Sequence, residues 1–494
     1  MAKHFIAIDL GAETGRAVVG ALQGERLSLH PVHRFANRPV RVAGHLHWDV
    51  LHLFDEIVNG LQSAARQFGE IASVGVDTWG VDFGLLDKNG ALVGNPYHYR
   101  DHCTDGVMDQ VFERVPRAEI FRTTGIQFMQ LNTLYQLYAM RLAHSPALNV
   151  AHTLLMMPDL FNYWLTGDAV GEFTIATTTQ FYDSRKRAWA TELLQKLGLP
   201  SQILPRVIPP ATPIGPLLAS YADPTGLQHT QVIAPACHDT ASAVAAVPAQ
   251  QGRYAYISSG TWSLMGVVTT EPVLTDTTRD FNFTNEGGVG GTFRLLKNLT
   301  GLWLVQECRH AWAHDGNALD YDTMVALAER AVPFRAFVDP DHASFLGPDD
   351  MPQAIADFCA NTGQAVPSDR GALLRTVFES LALKYRLTLE ELETILGYRV
   401  EAIHIVGGGS QNALLCQFTA DACARPVYAG PVEATALGNI LAQALATGAC
   451  ASWAEAHDLV CAAFPPKIYG PRDTDAWDEA YDRFKPLLQD PIHC

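Results

Sequence analysis

An aspartate at a strand-to-helix turn is the residue whose surroundings most suggest chemistry. Asp239 follows an apolar run at residues 231–234 and precedes a run of small residues at 241–246 that is typical of a short helix. An aspartate at such a turn can face a cleft, where its carboxylate could take a proton from a substrate hydroxyl. The same pattern fits an aspartate that caps the helix. The residues alone leave both interpretations open.

Three turns have the composition of phosphate-binding loops. The segments 9–16, 258–263 and 407–412 contain glycine and hydroxyl side chains, and each follows or ends an apolar strand pattern. Glycine lets backbone N–H groups approach a phosphate closely, and the forked guanidinium of Arg16 adds a cation. Each turn on its own also fits an ordinary hairpin or loop. Residues 407–412 are not a GxGxxG segment and no GxxxxGK[ST] occurs, so the Rossmann and P-loop interpretations fail.

A metal-binding carboxylate is expected beside the first of these turns. Asp9 ends the apolar strand pattern that leads into the turn. Mg²⁺ in phosphate sites takes one or two carboxylates and keeps several of its waters. We therefore predict that Asp9 holds a hydrated Mg²⁺, bound through water.

The sequence pattern divides the chain into two halves with the same order of predicted strands and helices. Each half opens with a strand–turn–strand pattern, at residues 5–19 and 254–265, and continues with a helical pattern that is followed by another strand. Strands that alternate with helices indicate α/β layers in both halves. The pattern predicts domains of residues 1–248 and 249–494, joined by a linker near 249–252.

Capping residues bound two of the predicted helices. In the first half, Asp49 can cap a helix whose apolar positions begin at Leu51 and whose end is marked by Gly69. In the second half, apolar residues keep helical spacing from Leu374 up to Gly397. Each helix leads into a short apolar strand, which strengthens the prediction of a layered α/β architecture.

Composition excludes several classes of protein. The 494 residues are 48% hydrophobic and 18% charged, which excludes wholesale disorder. With 35 basic and 52 acidic side chains the net charge is −17, so we expect no nucleic-acid and no membrane partner. The nine cysteines form no CxxC pair, and Asp9 interrupts the first apolar run at once. These features predict a reduced, cytoplasmic protein.

The turns and the aspartate together resemble one known family. Residues 408–427 and 433–439 are similar to the C-terminal signature of the FGGY carbohydrate kinases and to the segment that follows it. The resemblance implies an α/β, two-domain actin-like ATPase (ribonuclease H-like) fold with a central cleft. It also implies an enzyme that uses ATP and Mg²⁺ to phosphorylate a small ketose, as a monomer or a homodimer.

Five further stretches narrow the resemblance within this family. They favour the members that phosphorylate the C1 hydroxyl of L-rhamnulose. Kinases of other ketoses, L-fuculose or xylulose, remain alternatives, because related ketoses differ by one epimeric hydroxyl. A non-catalytic, nucleotide-dependent sensor on the same fold is a third possibility. The stretches are residues 76–83, 125–128 with 132–137, 237–244, 258–265, and 284–288 with 296–298 and 301–306.

The resemblance also assigns site residues one by one. It makes Asp239 the catalytic base, and it implies that the side chain of Glu13 points away while the backbone of its loop binds phosphate. The implied ATP contacts are Ala12, Glu13, Thr14, Gly15, Arg16, Thr261, Gln306 and Gly408. The implied sugar contacts are Gly80, His238, Asp239, Thr240 and Asn298.

Overall fold

The computed structural model describes residues 2–249 and 252–488; Gln250 and Gln251 of the predicted linker lie outside them. Within the described residues no helix is long and apolar enough to cross a bilayer. The strands are β1 Lys3–Leu10, β2 Thr14–Gln23, β3 Arg26–Ala36, β4 Val40–Val42, β5 His45–His47, β6 Ser73–Thr78, β7 Phe83–Leu86, β8 Thr153–Met156, β9 Gly171–Glu172, β10 Tyr182–Asp183, β11 Ala188–Trp189, β12 Val207–Ile208, β13 Thr212–Pro216, β14 Gln231–Ala234, β15 Tyr254–Ser259, β16 Trp262–Thr269, β17 Thr284–Gly287, β18 Phe293–Thr300, β19 Ala402–Val406, β20 Val427–Ala429 and β21 Lys467–Tyr469. The helices are α1 Val50–Phe68, α2 Val107–Phe112, α3 Arg117–Thr124, α4 Thr133–Leu142, α5 Pro146–Val150, α6 Met157–Thr166, α7 Phe173–Thr177, α8 Thr191–Leu197, α9 Ala219–Thr225, α10 Asp239–Ala245, α11 Asp276–Asp280, α12 Trp303–His314, α13 Tyr321–Arg330, α14 Met351–Asn361, α15 Arg370–Leu396, α16 Ala413–Cys423, α17 Ala434–Ala446, α18 Trp453–Ala463 and α19 Asp475–Phe484.

Two large sheets carry the fold, and their centres are built alike. The first has the order β13-β14-β6-β1-β2-β3 and the second the order β17-β18-β16-β15-β19-β20-β21. In the first, β1 pairs antiparallel with β2 and parallel with β6; in the second, β15 pairs antiparallel with β16 and parallel with β19. Both predicted hairpins therefore exist and occupy equivalent places. The predicted α/β architecture with two similar halves is confirmed.

Helices α1 and α15, whose ends were predicted from capping residues, form where the sequence predicts them. Asp49 caps α1 by accepting a hydrogen bond from the backbone N–H of His52, and α1 stops at Gly69, whose φ is 71°. Helix α15 ends at Gly397 with a φ of 70°. Glycine suits both ends because other residues are strained at such positive φ. The buried face of α1 begins at Val50 instead of Leu51, which is 62% exposed.

Helix α17 of the second half packs on the first sheet. Its Asn439 donates hydrogen bonds to the carboxylate of Asp77 at 2.6 Å and to a backbone carbonyl of β6. Its Gln443 donates to the carbonyl of Ile6 at 2.8 Å and accepts from Ser73. The two halves thus share a buried polar interface. The division of the chain into domains at residues 1–248 and 249–494 stays a prediction.

Helices α17 and α10 approach each other closely at Gly438 in α17. A Cβ built on Gly438 would overlap the carbonyl oxygen of Ser242 in α10. We expect Gly438→Ala to lower the free energy of unfolding by about 1–3 kcal/mol, because a backbone oxygen cannot move aside as a side chain can. The free-energy cost of this overpacking exceeds the gain in helix propensity from replacing glycine by alanine, which is about 1 kcal/mol at most. Denaturant unfolding measures it.

Gly470→Ala is the matched control for this prediction. Gly470 has open space where its Cβ would lie, and its φ is outside the left-handed region. The control should leave the denaturation midpoint close to that of the parent protein. A Gly438→Ala variant that is as stable as Gly470→Ala would show that the two helices do not meet this closely.

Candidate active site

A cavity of about 480 Å³ lies where the two halves face each other. The first half contributes the β1–β2 turn, the segment after β6 and the start of α10; the second contributes the β15–β16 turn, β18, α12 and the turn after β19. The cavity therefore gathers residues that lie far apart in the sequence. The expected site residues that line it are Asp9, Ala12, Glu13, Thr14, Arg16, Gly80, His238, Asp239, Thr240, Thr261, Asn298, Gln306 and Gly408.

Gly15 is the one expected site residue that does not line the cavity. It is buried, and it lies opposite Phe35 in the register of β2 and β3. A Cβ at this position would overlap the ring of Phe35 and crowd Leu10. The glycine is thus explained by close packing beneath the turn, while its neighbours Thr14 and Arg16 reach the cavity.

Arg16 joins the two halves beside the β1–β2 turn. Its guanidinium donates to Asp9 at 2.6 and 2.8 Å and lies 2.6 Å from Glu433, which precedes α17. Burial alone would lower the pKa of Arg16, but Asp9 and Glu433 outweigh burial and raise it. The guanidinium is therefore always charged, and its fork is occupied by carboxylates in this arrangement.

The side chain of Glu13 faces helix α12 across the cavity. Its Oε1 atom is buried without a hydrogen-bond partner, and Glu307, Arg309 and His310 of α12 all act on its charge. Burial has the largest influence and raises the pKa of Glu13. Burial therefore disfavours the charged form of the Glu13 side chain.

The backbone before Asp239 is held by a buried acid. Glu172 accepts a hydrogen bond from the N–H of Cys237 at 3.0 Å, and the hydroxyl of Thr174 accepts one from the N–H of His238 at 3.1 Å. Thr174 in turn donates its hydroxyl proton to Glu172. These bonds fix the turn that presents Asp239 to the cavity.

The carboxyl group of Asp239 has a raised pKa. It is the first residue of α10, and the N-cap position belongs to His238, so the cap interpretation of Asp239 does not hold. Burial is the main cause that raises the pKa of Asp239; His238 lowers it and the nearby carboxylate of Asp9 raises it further. A raised pKa makes the carboxylate a better proton acceptor.

The loop that carries Gly80 contains a strained residue. Val81 has a φ of 67°, which is unfavourable for a β-branched side chain. Its N–H donates to Thr178 at 3.2 Å, and its carbonyl accepts a short hydrogen bond from Thr133. Strain of this kind costs about 1–3 kcal/mol and persists only where neighbours enforce it. The strained conformation of Val81 places Gly80 at the wall of the cavity, beside His238.

Asn298 is tied to the first half by a residue that sequence reasoning did not assign. The Oε1 atom of Gln127 accepts hydrogen bonds from the backbone N–H of Asn298 at 2.9 Å and from its side-chain amide at 3.0 Å. Both residues line the cavity. Gln127 lies in one of the stretches that carry the resemblance, but only the contact between the halves reveals its partner.

The cavity wall has open backbone at Gly408. No atom beyond the chain neighbours lies within 4 Å of a Cβ built on Gly408, so this glycine borders empty space. Thr261 and Gln306 line the same cavity, and Oε1 of Gln306 is buried without a hydrogen-bond partner. An unpaired buried polar atom beside open backbone fits a ligand that approaches the main chain, as a nucleotide does.

Arg309 is a second residue that sequence reasoning did not assign. It follows Gln306 by one helical turn on α12 and also lines the cavity. Residues three apart on a helix share a face, so the helical pattern together with Gln306 could have indicated it. Its cation suits a polyphosphate ligand, in a protein whose net charge is −17.

Models of one family cover most of the chain. The N-terminal domain of the FGGY family of carbohydrate kinases matches residues 4–246, and the C-terminal domain of that family matches residues 255–447. The chain belongs to the FGGY family of carbohydrate kinases. This confirms the resemblance stated from the sequence, and it makes the protein a carbohydrate kinase.

Individual relatives agree with this assignment. The kinase is 46% identical to a rhamnulokinase of Bacteroides thetaiotaomicron over 98% of this chain and 99% of that protein. It is 42% identical to a rhamnulokinase of Pectobacterium carotovorum over 99% of this chain and 97% of that protein. A gluconate kinase structure from Lactobacillus acidophilus superposes with a TM-score of 0.81 at 16% identity, covering 99% of this chain and 98% of that one. The structural likeness confirms the two-domain kinase fold.

Proposed function

We propose that this kinase transfers the γ-phosphoryl group of ATP to the C1 hydroxyl of L-rhamnulose, giving L-rhamnulose 1-phosphate and ADP in L-rhamnose catabolism. The observation that carries the reaction type is the placement of Asp239 in one cavity with three glycine- and hydroxyl-bearing turns. The choice of L-rhamnulose rests on identity to rhamnulokinases along nearly the whole chain.

Each group has a defined task in the proposed reaction. The ketose lies beside Gly80, His238 and Asn298, with its C1 hydroxyl toward Asp239. Asp239 accepts the hydroxyl proton as the oxygen attacks the γ-phosphorus in line with the leaving ADP oxygen. The β1–β2 and β15–β16 turns hold the phosphates, and the base and ribose of ATP lie near Gly408. Contact between the halves excludes water, which would otherwise be phosphorylated in place of the sugar.

The acidic groups of the cavity fit a magnesium ion that enters with ATP. Asp9 lines the cavity, and the carboxylate of Asp9 is close enough to Asp239 to raise the pKa of Asp239. Within residues 2–249 and 252–488, no group of three or more His, Cys, Asp or Glu side chains could hold a metal. Mg²⁺ keeps several waters and takes phosphate oxygens as ligands, so it needs few carboxylates from the protein. Asp9 would hold it through water, and the ion would offset phosphate charge.

The proposal also covers the cellular compartment, the partners and the oligomeric state of the kinase. We place the kinase in the cytoplasm, where ATP is available, with its cysteines reduced. Its partners are then a small ketose and ATP, and the chain acts as a monomer or a homodimer. Size-exclusion chromatography with light scattering decides between these two states.

A coupled assay of ADP release against several ketoses tests the proposed function. With ATP and Mg²⁺ present, we expect kcat/KM for L-rhamnulose to exceed that for L-fuculose and for D-xylulose by about tenfold or more, since a buried polar site left unpaired by an epimeric hydroxyl costs at least about 1.4 kcal/mol. Reactions without sugar give the background hydrolysis. A preference for L-fuculose or xylulose would make the protein another ketose kinase, and no release with any ketose would favour the sensor.

A further inference from the structure

A buried cluster of three side chains joins the halves behind the sugar site. Arg294, Glu286 and His238 are 1%, 4% and 6% exposed. His238 belongs to the first half, whereas Glu286 lies on β17 and Arg294 on β18 of the second. Nη2 of Arg294 lies 3.0 Å from Nδ1 of His238 and 3.0 Å from Oε2 of Glu286. The cluster exists in this form only while the two halves are in contact.

The guanidinium determines which nitrogen of His238 carries the proton. Arginine has donors and no acceptor, so the bond between Nη2 and Nδ1 requires a lone pair on Nδ1. The proton of a neutral His238 ring is then on Nε2. The alternative is a proton on Nδ1 that is donated to Oε2 of Glu286, which lies farther away at 3.2 Å.

Glu286 holds the guanidinium in place. Burial alone would raise the pKa of Glu286, but the guanidinium of Arg294 is the largest opposing influence, and the pKa lies at about 2. The carboxylate is therefore ionised and pairs with Arg294 at 3.0 Å. A second bond from Nε of Arg294 to the carbonyl of Gly287 at 2.9 Å fixes the plane of the guanidinium.

We propose that Arg294, held by Glu286, is a positioning residue that fixes His238 in its Nε2–H tautomer, so that His238 donates a hydrogen bond to an oxygen of the ketose. Nε2 faces the sugar side of the cavity, 3.5 Å from Oδ1 of Asp239 and next to Gly80. The proposal deepens the proposed function and rests on it for the identity of the sugar.

This arrangement gives two adjacent residues opposite roles. His238 donates to one sugar oxygen, while Asp239 remains the acceptor for the proton of the attacking hydroxyl. It also links the roles to the contact between the halves, because opening the cleft would remove Arg294 from Nδ1. His238 would then be free to exchange tautomers, and the sugar would lose a fixed donor.

Nitrogen NMR of the whole protein labelled with ¹⁵N-histidine tests the tautomer directly. The spectrum is recorded with L-rhamnulose and a non-hydrolysable ATP analogue bound, and the His238→Gln variant identifies the signals of His238. We expect the Nδ1 shift of an unprotonated ring nitrogen and the Nε2 shift of an N–H. A proton on Nδ1, alone or together with one on Nε2, overturns the proposal. The contact between Arg294 and Nδ1 is present without ligand, so the same tautomer is expected in the free protein, and that spectrum separates this result from failure of the proposed function.

A double-mutant cycle provides the kinetic test. Glutamine in place of His238 keeps an amide donor that does not depend on Arg294 for its protonation. We expect Arg294→Met to lower kcat/KM by about tenfold or more in the parent and by less than about threefold in the His238→Gln background. Arg294→Lys, which keeps a donor, should lose less than Arg294→Met. Equal losses in both backgrounds overturn the proposal.

A control keeps the cycle informative if a variant does not fold. Glu286→Gln keeps the size of the side chain but removes the charge that holds the guanidinium. If Arg294→Met fails to unfold cooperatively, Glu286→Gln replaces it in the same cycle. We again expect Glu286→Gln to lower kcat/KM more in the parent protein than in the His238→Gln background. Equal losses of kcat/KM in both backgrounds again contradict the proposal.

Discussion

The Asp239→Asn variant is expected to lose about 10²- to 10⁴-fold in kcat while its fold and its KM for the ketose stay close to those of the parent. Asparagine has nearly the same shape and can still accept from Thr240, as the carboxylate does. It cannot take the proton of the attacking hydroxyl. Steady-state ADP release and thermal unfolding measure the two effects separately.

Asp49→Asn is the matched control for this variant. It makes the same change at the cap of α1, outside the cavity, and asparagine is as good a helix cap as aspartate. The control should keep full activity. An Asp239→Asn variant with near-normal kcat would show that another group accepts the proton.

The raised pKa of Asp239 gives the same residue a signature in the pH profile. The base acts in its ionised form, so kcat/KM should fall as the pH drops through the pKa of Asp239. Because burial raises that pKa, the acid limb should lie above the ordinary aspartate value of about 3.9. A limb at or below the ordinary value would contradict the assignment.

Gly408→Val is expected to weaken binding of an ATP analogue by about tenfold or more, or about 1.4 kcal/mol, while ketose affinity changes by less than about twofold. The space beside Gly408 is open and its φ is outside the left-handed region, so valine fits the empty protein. Its methyl groups would occupy the place where the nucleotide meets the backbone. Isothermal titration calorimetry with each ligand separately measures the two affinities.

Gly470→Val makes the same change at an open position outside the cavity. This control should bind both ligands as the parent protein does. Equal losses of nucleotide and ketose affinity in Gly408→Val would place this glycine outside the nucleotide site, or would show that the substitution disturbs the whole cleft.

Much of the fold could be predicted because its signals are local. The cap at Asp49 and the stops at Gly69 and Gly397 depend on a few neighbouring residues, and both hairpins follow from strand patterns around a glycine turn. The three glycine-bearing turns and Asp239 were identified in the same way, whereas Gly80, Asn298 and Gln306 were assigned only from the resemblance to the family. These features need no knowledge of how the two halves meet.

The contacts between the halves could not be predicted, because they join residues that are distant in the sequence. Arg16 pairs with Glu433, and Gln127 with Asn298, only because the second half lies against the first. No local pattern marks Glu286 as a partner of His238. The site segments were therefore accessible from the sequence, whereas the network that positions them required the structure.

Identification of the reaction product tests the central claim most directly. The purified kinase is incubated with ATP, Mg²⁺ and L-rhamnulose, and the product is analysed by ¹H–³¹P correlation NMR. The proposed placement of the C1 hydroxyl at Asp239 predicts a single phosphate ester coupled to the two C1 protons, formed together with one ADP per ester. A phosphate on another hydroxyl, or ADP formed without any sugar ester, would contradict it.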